Sequence, residues 1–202
     1  MNGMPGSRRL RNAVWGVDRA VSNLRTEAAI LEAVQDSLWP LLESDAWLPD
    51  AYAFANAGCY EQYLLYRDAD ARYSVVSFAW GPGAVTPIHN HTTWGVIGVL
   101  RGAECATSFN VDEQLRLLAA NHERRLDRAM MDAVSPTLGD VHMVRNAYAD
   151  KGSVSVHVYG ADIGMVSRSS FDPVNGNRKT FVSGYTNEQP LLGDLRSTRD
   201  RK

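Results

Sequence analysis

Seven short segments rich in β-branched and aromatic residues are the feature that most constrains how this chain can fold. Gly, Pro, Asn or Asp residues lie between them, as is typical of strands that are joined by turns. Many short strands at close spacing predict an antiparallel sandwich or barrel. The segments are 62–67, 73–80, 94–100, 104–111, 141–146, 153–160 and 164–171. Residues 112–132 fit either further strands or a helical excursion.

The sequence on either side of these segments has a different character. Residues 1–50 are expected to be helical, because apolar residues recur there at spacings of four and three. Pro40 is expected to kink or end the helix that contains it. We therefore expect one domain over 1–202, with a helical cap, a barrel at about 60–183 and a loosely ordered tail at 184–202. The apolar helical face consists of Ile30, Val34, Leu38 and Leu41.

Composition narrows the classes of partner. Hydrophobic residues make up 45% of the chain, charged residues 22%, and the net charge is −2, which is typical of a soluble globular protein. No basic patch suggests nucleic acid or an anionic membrane surface, and we find neither a secretory signal nor an apolar run of membrane-spanning length. Cys59 and Cys105 are expected to be free thiols in a cytoplasmic protein. The oligomeric state is left open.

Three of the five histidines suggest a metal site. His89 and His91 are one residue apart, so in an extended chain both side chains point to the same face. Imidazole is a common ligand of divalent transition metals, although two such histidines could equally lie on a surface loop. His142 follows a Pro and Gly turn in another predicted strand and could complete the site.

A second polar set lies on one predicted strand. In residues 153–160, Ser155, His157 and Tyr159 alternate with three valines, so the polar side chains share one face. Buried, such a row would need internal hydrogen bonds. The alternative is an ordinary solvent-exposed strand face.

The histidine spacing resembles that of the cupins. Their first motif, G-x5-H-x-H-x3-E-x6-G, matches Gly83, His89, His91 and Gly102, and their second, P-x-G-x2-H-x3-N, matches Gly139, His142 and Asn146. Two positions depart: Gly95 replaces the motif glutamate, and Pro136 is one residue further from Gly139 than usual. The resemblance implies a mainly β fold, the cupin double-stranded β-helix or jelly-roll barrel, with the N-terminal helices packed on it. It also implies a metal site of three histidines.

Within the cupins, the chain is similar to the cysteine dioxygenases, over about residues 60–181. These have three histidine ligands for Fe(II), no motif glutamate, and a Ser-x-His-x-Tyr strand. By resemblance, Tyr159 hydrogen-bonds the bound oxygen or substrate, and His157 and Ser155 set its orientation and proton. Eukaryotic members have a cysteine at the position of Gly95, cross-linked to the tyrosine, so no thioether is expected here. Trp94 either shields the site or belongs to the core.

Two further positions bear on the substrate. Bacterial 3-mercaptopropionate dioxygenases resemble this chain in a glutamine on an early strand, here Gln62, and an arginine soon after the Ser-x-His-x-Tyr strand, here Arg168. Arg168 would hold a substrate carboxylate, since guanidinium forms bidentate pairs, although either residue could instead be an ordinary strand position.

The expected activity is therefore oxidation of a small carboxylated thiol by O2 to the sulfinic acid. 3-Mercaptopropionate is favoured over cysteine, mercaptosuccinate or cysteamine, the last of which lacks a carboxylate. A non-oxidative cupin, such as an isomerase or epimerase, or a non-catalytic binding module are the alternatives of other classes.

Overall fold

Within the residues that the structure describes, two α-helices and eleven strands make up most of the regular structure. The structure is a computed structural model, and it describes residues 5–112, 117–193 and 195. The helices are α1 (Pro5–Asn23) and α2 (Glu27–Leu42). The strands are β1 (Tyr60–Arg67), β2 (Ser74–Trp80), β3 (Ile88–His89), β4 (Gly95–Arg101), β5 (Ala103–Val111), β6 (Leu117–Asp127), β7 (Met131–Val134), β8 (His142–Asn146), β9 (Ser153–Tyr159), β10 (Arg168–Phe171) and β11 (Arg178–Phe181).

The strands form two antiparallel sheets. The first sheet has the order β1-β2-β9-β4-β7, and the second has the order β11-β10-β3-β8-β5-β6. Neighbours that are distant in sequence, such as β2 and β9, are typical of a jelly roll. The predicted mainly β cupin fold with N-terminal helices is confirmed. A small cluster of apolar side chains lies between β1, β2, β8 and β9 and includes Leu64, Val76, Phe78, Val144 and Tyr159.

The two helices cover the outer face of the first sheet. Their apolar side chains pack against the valines of β9 and against β4. Gly98 of β4 allows α2 to approach closely, because a Cβ at this position would lie 2.7 Å from Cδ1 of Leu42. The apolar cluster between the helices and the first sheet includes Leu10, Val14, Val17, Val34, Leu38, Leu41, Val96, Leu100, Val154, Val156 and Val158.

Several local expectations are corrected or settled by the structure. Residues 112–132 contain strands, β6 and the start of β7, rather than a helix; 113–116 lie outside the described residues. The predicted strand at 164–171 is wrong in its first half, where Ile163–Met165 form a 3₁₀ turn closed by a hydrogen bond from the Met165 N–H to the Asp162 carbonyl. Pro40 lies inside α2, which ends two residues later.

The C-terminal segment was expected to be a loose tail, which is wrong for residues 184–192. The N–H groups of Thr186 and Leu192 donate to the carbonyls of Gln62 and Leu65 in β1, at 2.8 Å each. Asn187 accepts from the Leu64 N–H at 2.7 Å. Residues 194 and 196–202 lie outside the described residues. In the described part of the chain, no helix combines the length and apolarity needed to cross a membrane.

Candidate active site

Three histidines from adjacent parts of the second sheet meet at one point. His89 and His142 are direct cross-strand partners in β3 and β8, and His91 lies two residues beyond the end of β3. One ring nitrogen of each lies within 4.8 Å of those of the other two. The structure therefore brings together all three of the predicted metal ligands.

The same nitrogen of two of these rings is held by an acceptor. Nδ1 of His89 lies 2.9 Å from the Pro87 carbonyl, and Nδ1 of His91 lies 3.2 Å from Oδ1 of Asp140. A carbonyl or a carboxylate can only accept, so Nδ1 donates in both rings and Nε2 is the nitrogen left to bind a metal. Burial, with the charge of His91, lowers the pKa of His89 to about 3, and burial likewise lowers the pKa of His142. Neutral imidazoles in this arrangement fit a divalent transition metal.

Asp140 fixes the turn that carries His91. Besides the imidazole, its carboxylate accepts the backbone N–H groups of His91, at 3.0 Å, and Thr92, at 2.8 Å. Thr92 has a φ of 58°, in the left-handed region that is unfavourable for a β-branched residue, so the turn depends on this support. Sequence reasoning missed Asp140, although its position two residues before His142 was a usable signal.

Gly95 leaves room for the ring of Tyr159. The two residues are direct partners in the pairing of β4 and β9. A Cβ on Gly95 would lie 2.7 Å from Cδ1 and 2.8 Å from Cε1 of that ring. The loss of the motif carboxylate and the position of the tyrosine are therefore sterically linked.

Ser155, His157 and Tyr159 form a continuous hydrogen-bonded row inside the barrel. The Ser155 hydroxyl lies 2.7 Å from Nε2 of His157, and the Tyr159 hydroxyl lies 2.9 Å from its Nδ1. All three side chains are buried. The Tyr159 ring stacks on the imidazole of His91, with centroids 5.4 Å apart, so the row adjoins the histidine cluster. Burial raises the pKa of Tyr159, which keeps the phenol protonated.

A cavity of about 280 Å³ connects His89 with both predicted substrate-binding residues, Gln62 and Arg168. Arg168 is only 5% exposed. Its Nη2 donates to the Ser183 hydroxyl at 2.8 Å, whereas its Nε has no partner within the described residues. Gln62 donates to the Ser183 hydroxyl at 3.4 Å and to the Gly184 carbonyl at 2.9 Å. Sequence reasoning missed Ser183, and no motif pointed to it.

Asn90 connects the segment between His89 and His91 to the strand that begins with Arg168. Its Oδ1 accepts the backbone N–H of Ser169 at 2.8 Å, and its own N–H donates to the Ser169 carbonyl at 3.0 Å. The side chain therefore anchors the start of β10, next to Arg168. Trp94 packs on the apolar cluster beneath the helices, which assigns it to the core.

Residues 21–170 match the cysteine dioxygenase type I family. Similar solved structures include a conserved protein with a double-stranded β-helix domain from Klebsiella pneumoniae, at 17% identity over 65% of this chain and 91% of that chain, with a TM-score of 0.44. The cupin domain of Cnp3 from Schizosaccharomyces pombe matches at 12% identity over 54% of this chain and 65% of that chain, with a TM-score of 0.41. A cupin superfamily protein from Desulfitobacterium hafniense matches at 12% identity over 54% and 84%, with a TM-score of 0.41.

Proposed function

Because this chain belongs to the cysteine dioxygenase type I family, we propose that it is a cytoplasmic, Fe(II)-dependent dioxygenase of a small carboxylated thiol. The favoured substrate is 3-mercaptopropionate. Both atoms of O2 are added to sulfur, so the thiol RSH and O2 give the sulfinic acid RSO2H. Membership of the family supports a thiol dioxygenase with a cupin fold. We further propose that the metal is iron and that the thiol is 3-mercaptopropionate.

His89, His91 and His142 are the residues that would hold the metal. Three neutral nitrogen donors leave the full charge of a divalent ion uncompensated, which favours an anionic substrate. When bound, Fe(II) would supply the redox chemistry that joins O2 to the thiol sulfur.

The observation that supports a carboxylated substrate is the state of Arg168. This guanidinium is buried, and none of the ion pairs among the described residues includes it. A buried charge is costly unless it is paired, and the unpartnered Nε belongs to a residue that lines the cavity next to His89. A substrate carboxylate would supply the missing acceptor.

Tyr159 is proposed to contact the substrate or the oxygen. The charge of Arg168 lowers the pKa of Tyr159 in opposition to burial, which indicates that the two side chains are electrostatically close. The hydroxyl is oriented by His157, and Ser155 fixes the other nitrogen of that ring. The row would thus hold one proton at a defined atom beside the substrate.

Oxygen uptake by the Fe(II)-loaded protein tests the proposal. The protein is loaded anaerobically and mixed with 3-mercaptopropionate, cysteine, mercaptosuccinate or cysteamine. We expect uptake with equimolar sulfinate, highest kcat/KM for 3-mercaptopropionate, and the lowest for cysteamine. Labelled O2 should place both atoms in the product.

The same protein loaded with Zn(II) is the control and should consume no oxygen. A complete Fe(II) site without oxygen uptake for any thiol would refute the dioxygenase. A preference for cysteine or mercaptosuccinate would retain the activity but change the substrate.

A further inference from the structure

Lys179 is a cation of the candidate site that the proposed function does not use. It lies in β11, the outer strand of the second sheet, and it lines the same cavity as His89, Gln62 and Arg168. Lys179 is exposed, whereas Arg168 is buried. The cavity therefore has one cation in its interior and a second cation where it opens to solvent.

The strand register places Lys179 in line with the first histidine of the cluster. Lys179 is the direct partner of Ser170 in β10, and Ser170 is the direct partner of His89 in β3. Direct partners project from the same face of a sheet. Because adjacent strands are spaced by about 4.8 Å, the backbone of Lys179 lies roughly 10 Å from that of His89, on the face that carries the imidazole.

The same register makes Lys179 a neighbour of Arg168. Arg168 is the direct partner of Phe181, which follows Lys179 by two residues on the same face of β11. The two cations are therefore diagonal neighbours, and such positions are about 7–8 Å apart, within reach of long side chains. An anion on its way to Arg168 passes through the field of Lys179.

No acid of the cavity lining balances these two charges. None of the described residues that line the cavity is Asp or Glu, and none of the ion pairs among the described residues includes Lys179 or Arg168. A cleft lined by one sign of charge raises the local concentration and the association rate of a ligand of the opposite sign. The cavity is thus suited to anions from its mouth to its interior.

We infer that Lys179 is a specificity-determining residue, which attracts anionic thiols to the mouth of the cavity and directs their carboxylate towards Arg168. The inference rests on the proposed function for its substrate class. It goes beyond that function in separating two tasks, because Lys179 acts on entry whereas Arg168 holds the bound carboxylate. An ammonium group on a flexible stem suits the first task, and a planar guanidinium suits the second.

Arg178 provides a matched control on the same strand. It precedes Lys179, is likewise exposed, and is not among the residues that line the cavity. Side chains alternate along a strand, so Arg178 projects from the opposite face. Charge on an outer strand also discourages pairing with other chains, which applies to both residues alike. Arg178→Gln and Lys179→Gln therefore remove one positive charge each, from opposite faces of β11.

Oxygen uptake by the Fe(II)-loaded variants at low and high salt tests the inference. At about 10 mM ionic strength, where screening is weak, Lys179→Gln should lower kcat/KM for 3-mercaptopropionate about 2- to 5-fold, as is typical of one exposed charge pair. We expect kcat to stay unchanged, and the loss to disappear at about 1 M salt, where the Debye length is only about 3 Å. For cysteamine, whose amine is protonated, kcat/KM should rise instead. Arg178→Gln should show neither change.

Ligand binding to the Zn(II)-loaded protein gives a second measurement, which does not depend on oxidation. The dissociation constant of 3-mercaptopropionate, measured by calorimetry, should rise in Lys179→Gln by the same factor and with the same salt dependence. Lys179→Arg keeps the charge and should bind as the wild type does. Urea unfolding should show equal stability of Lys179→Gln and Arg178→Gln, so that the loss is not one of folding.

The outcomes separate this inference from the proposed function. A loss that does not depend on salt, or equal effects of Lys179→Gln and Arg178→Gln, would overturn the role of Lys179. Weaker, salt-dependent binding in Lys179→Gln without oxidation of any thiol by the wild type would refute the proposed function alone. Oxidation of 3-mercaptopropionate by Lys179→Gln with the kcat/KM of the wild type at low salt would refute the role of Lys179 alone.

Discussion

At the scale of single residues, the proposed role of Arg168 depends less on the residue type than on its buried environment. An arginine on a strand is ordinarily a surface residue, but here the guanidinium is buried and lies over the ring of Phe181, 4.8 Å from its centroid. Burial lowers its pKa, although the side chain remains a cation. Its Nη2 is fixed by Ser183, whereas its Nε has no partner among the described residues. This unpaired donor is the feature on which the proposed recognition of a carboxylate rests.

Removal of this guanidinium should reduce the stabilisation of the transition state for carboxylated thiols. For Arg168→Ala we expect a loss of about 2–4 kcal/mol, the usual effect of removing one partner of a buried charge pair. This corresponds to a decrease of roughly 30- to 700-fold in kcat/KM for 3-mercaptopropionate. Steady-state oxygen uptake measures it.

Arg101→Ala is the matched control, because Arg101 is an exposed arginine paired with Asp45. It should leave kcat/KM unchanged. Equal losses for cysteamine and for 3-mercaptopropionate in Arg168→Ala would contradict a role in binding the carboxylate.

At the scale of structural elements, the strand that carries His89, the first of the proposed metal ligands, is very short. β3 contains two residues, so its pairing with β8 supplies little rigidity by itself. Asp140 binds the turn after it, and Asn90 joins it to β10. The geometry of the histidine cluster therefore depends on side chains that connect elements.

Asp140→Asn should weaken metal binding while leaving the fold intact. The amide keeps one acceptor oxygen but cannot accept all three N–H groups now held by the carboxylate. We expect affinity for Fe(II) or Zn(II) to fall by about 10- to 100-fold, as is usual for partners of histidine ligands. Competition with a chelator measures it, and Asp45→Asn at the surface is the control. Unchanged metal affinity would show that the turn keeps its conformation without the Asp140 carboxylate.

The contact of α2 with the first sheet depends on the glycine at position 98, which has no side chain. Gly98→Val would place methyl groups against Leu42, whose Cδ1 would lie 2.7 Å from the new Cβ. Overpacking of a core costs typically about 1–3 kcal/mol, and urea unfolding should show a loss of this size. Gly193→Ala is the control, since no atom of the described residues lies within 4 Å of a Cβ there. Equal stability of the two variants would contradict close packing of α2.

At the scale of the whole molecule, the buried acid Glu104 of β5 makes the free energy of unfolding depend on pH. Between the usual pKa of 4.5 and the raised value of about 8, folded Glu104 holds a proton that the unfolded chain releases. Stability falls with rising pH wherever the folded state binds more protons. This acid therefore stabilises least above pH 8 and its contribution is greatest below pH 4.5.

The comparison with Glu104→Gln isolates that contribution. Across the window, the stability of the wild type relative to the variant should fall by up to about 1.4 kcal/mol for each pH unit. Urea unfolding of the metal-free proteins at several pH values measures it. A difference that stays constant throughout the window would show that Glu104 titrates normally.

The fold and the meeting of three histidines were predictable because they depend on short-range patterns. Alternation revealed the inward face of β9, and fixed spacing revealed His89, His91 and His142. Ser183 could not be found in this way, since it holds Gln62 from 121 positions along the chain. Glu104 carried no motif, and its importance comes from burial. The 3₁₀ turn at 163–165 was missed because its apolar residues resemble a strand.

The segment after Gly184 also affects how molecules of this protein behave towards one another. β1 is an outer strand of the first sheet, and unpaired N–H and C=O groups on such a strand are a template for pairing with other chains. Here residues 186–192 occupy those groups through both backbone and side-chain hydrogen bonds. The C-terminal segment thus covers the edge of the first sheet. A chain that lacked this segment would expose the unpaired backbone groups of β1 and would be prone to aggregate.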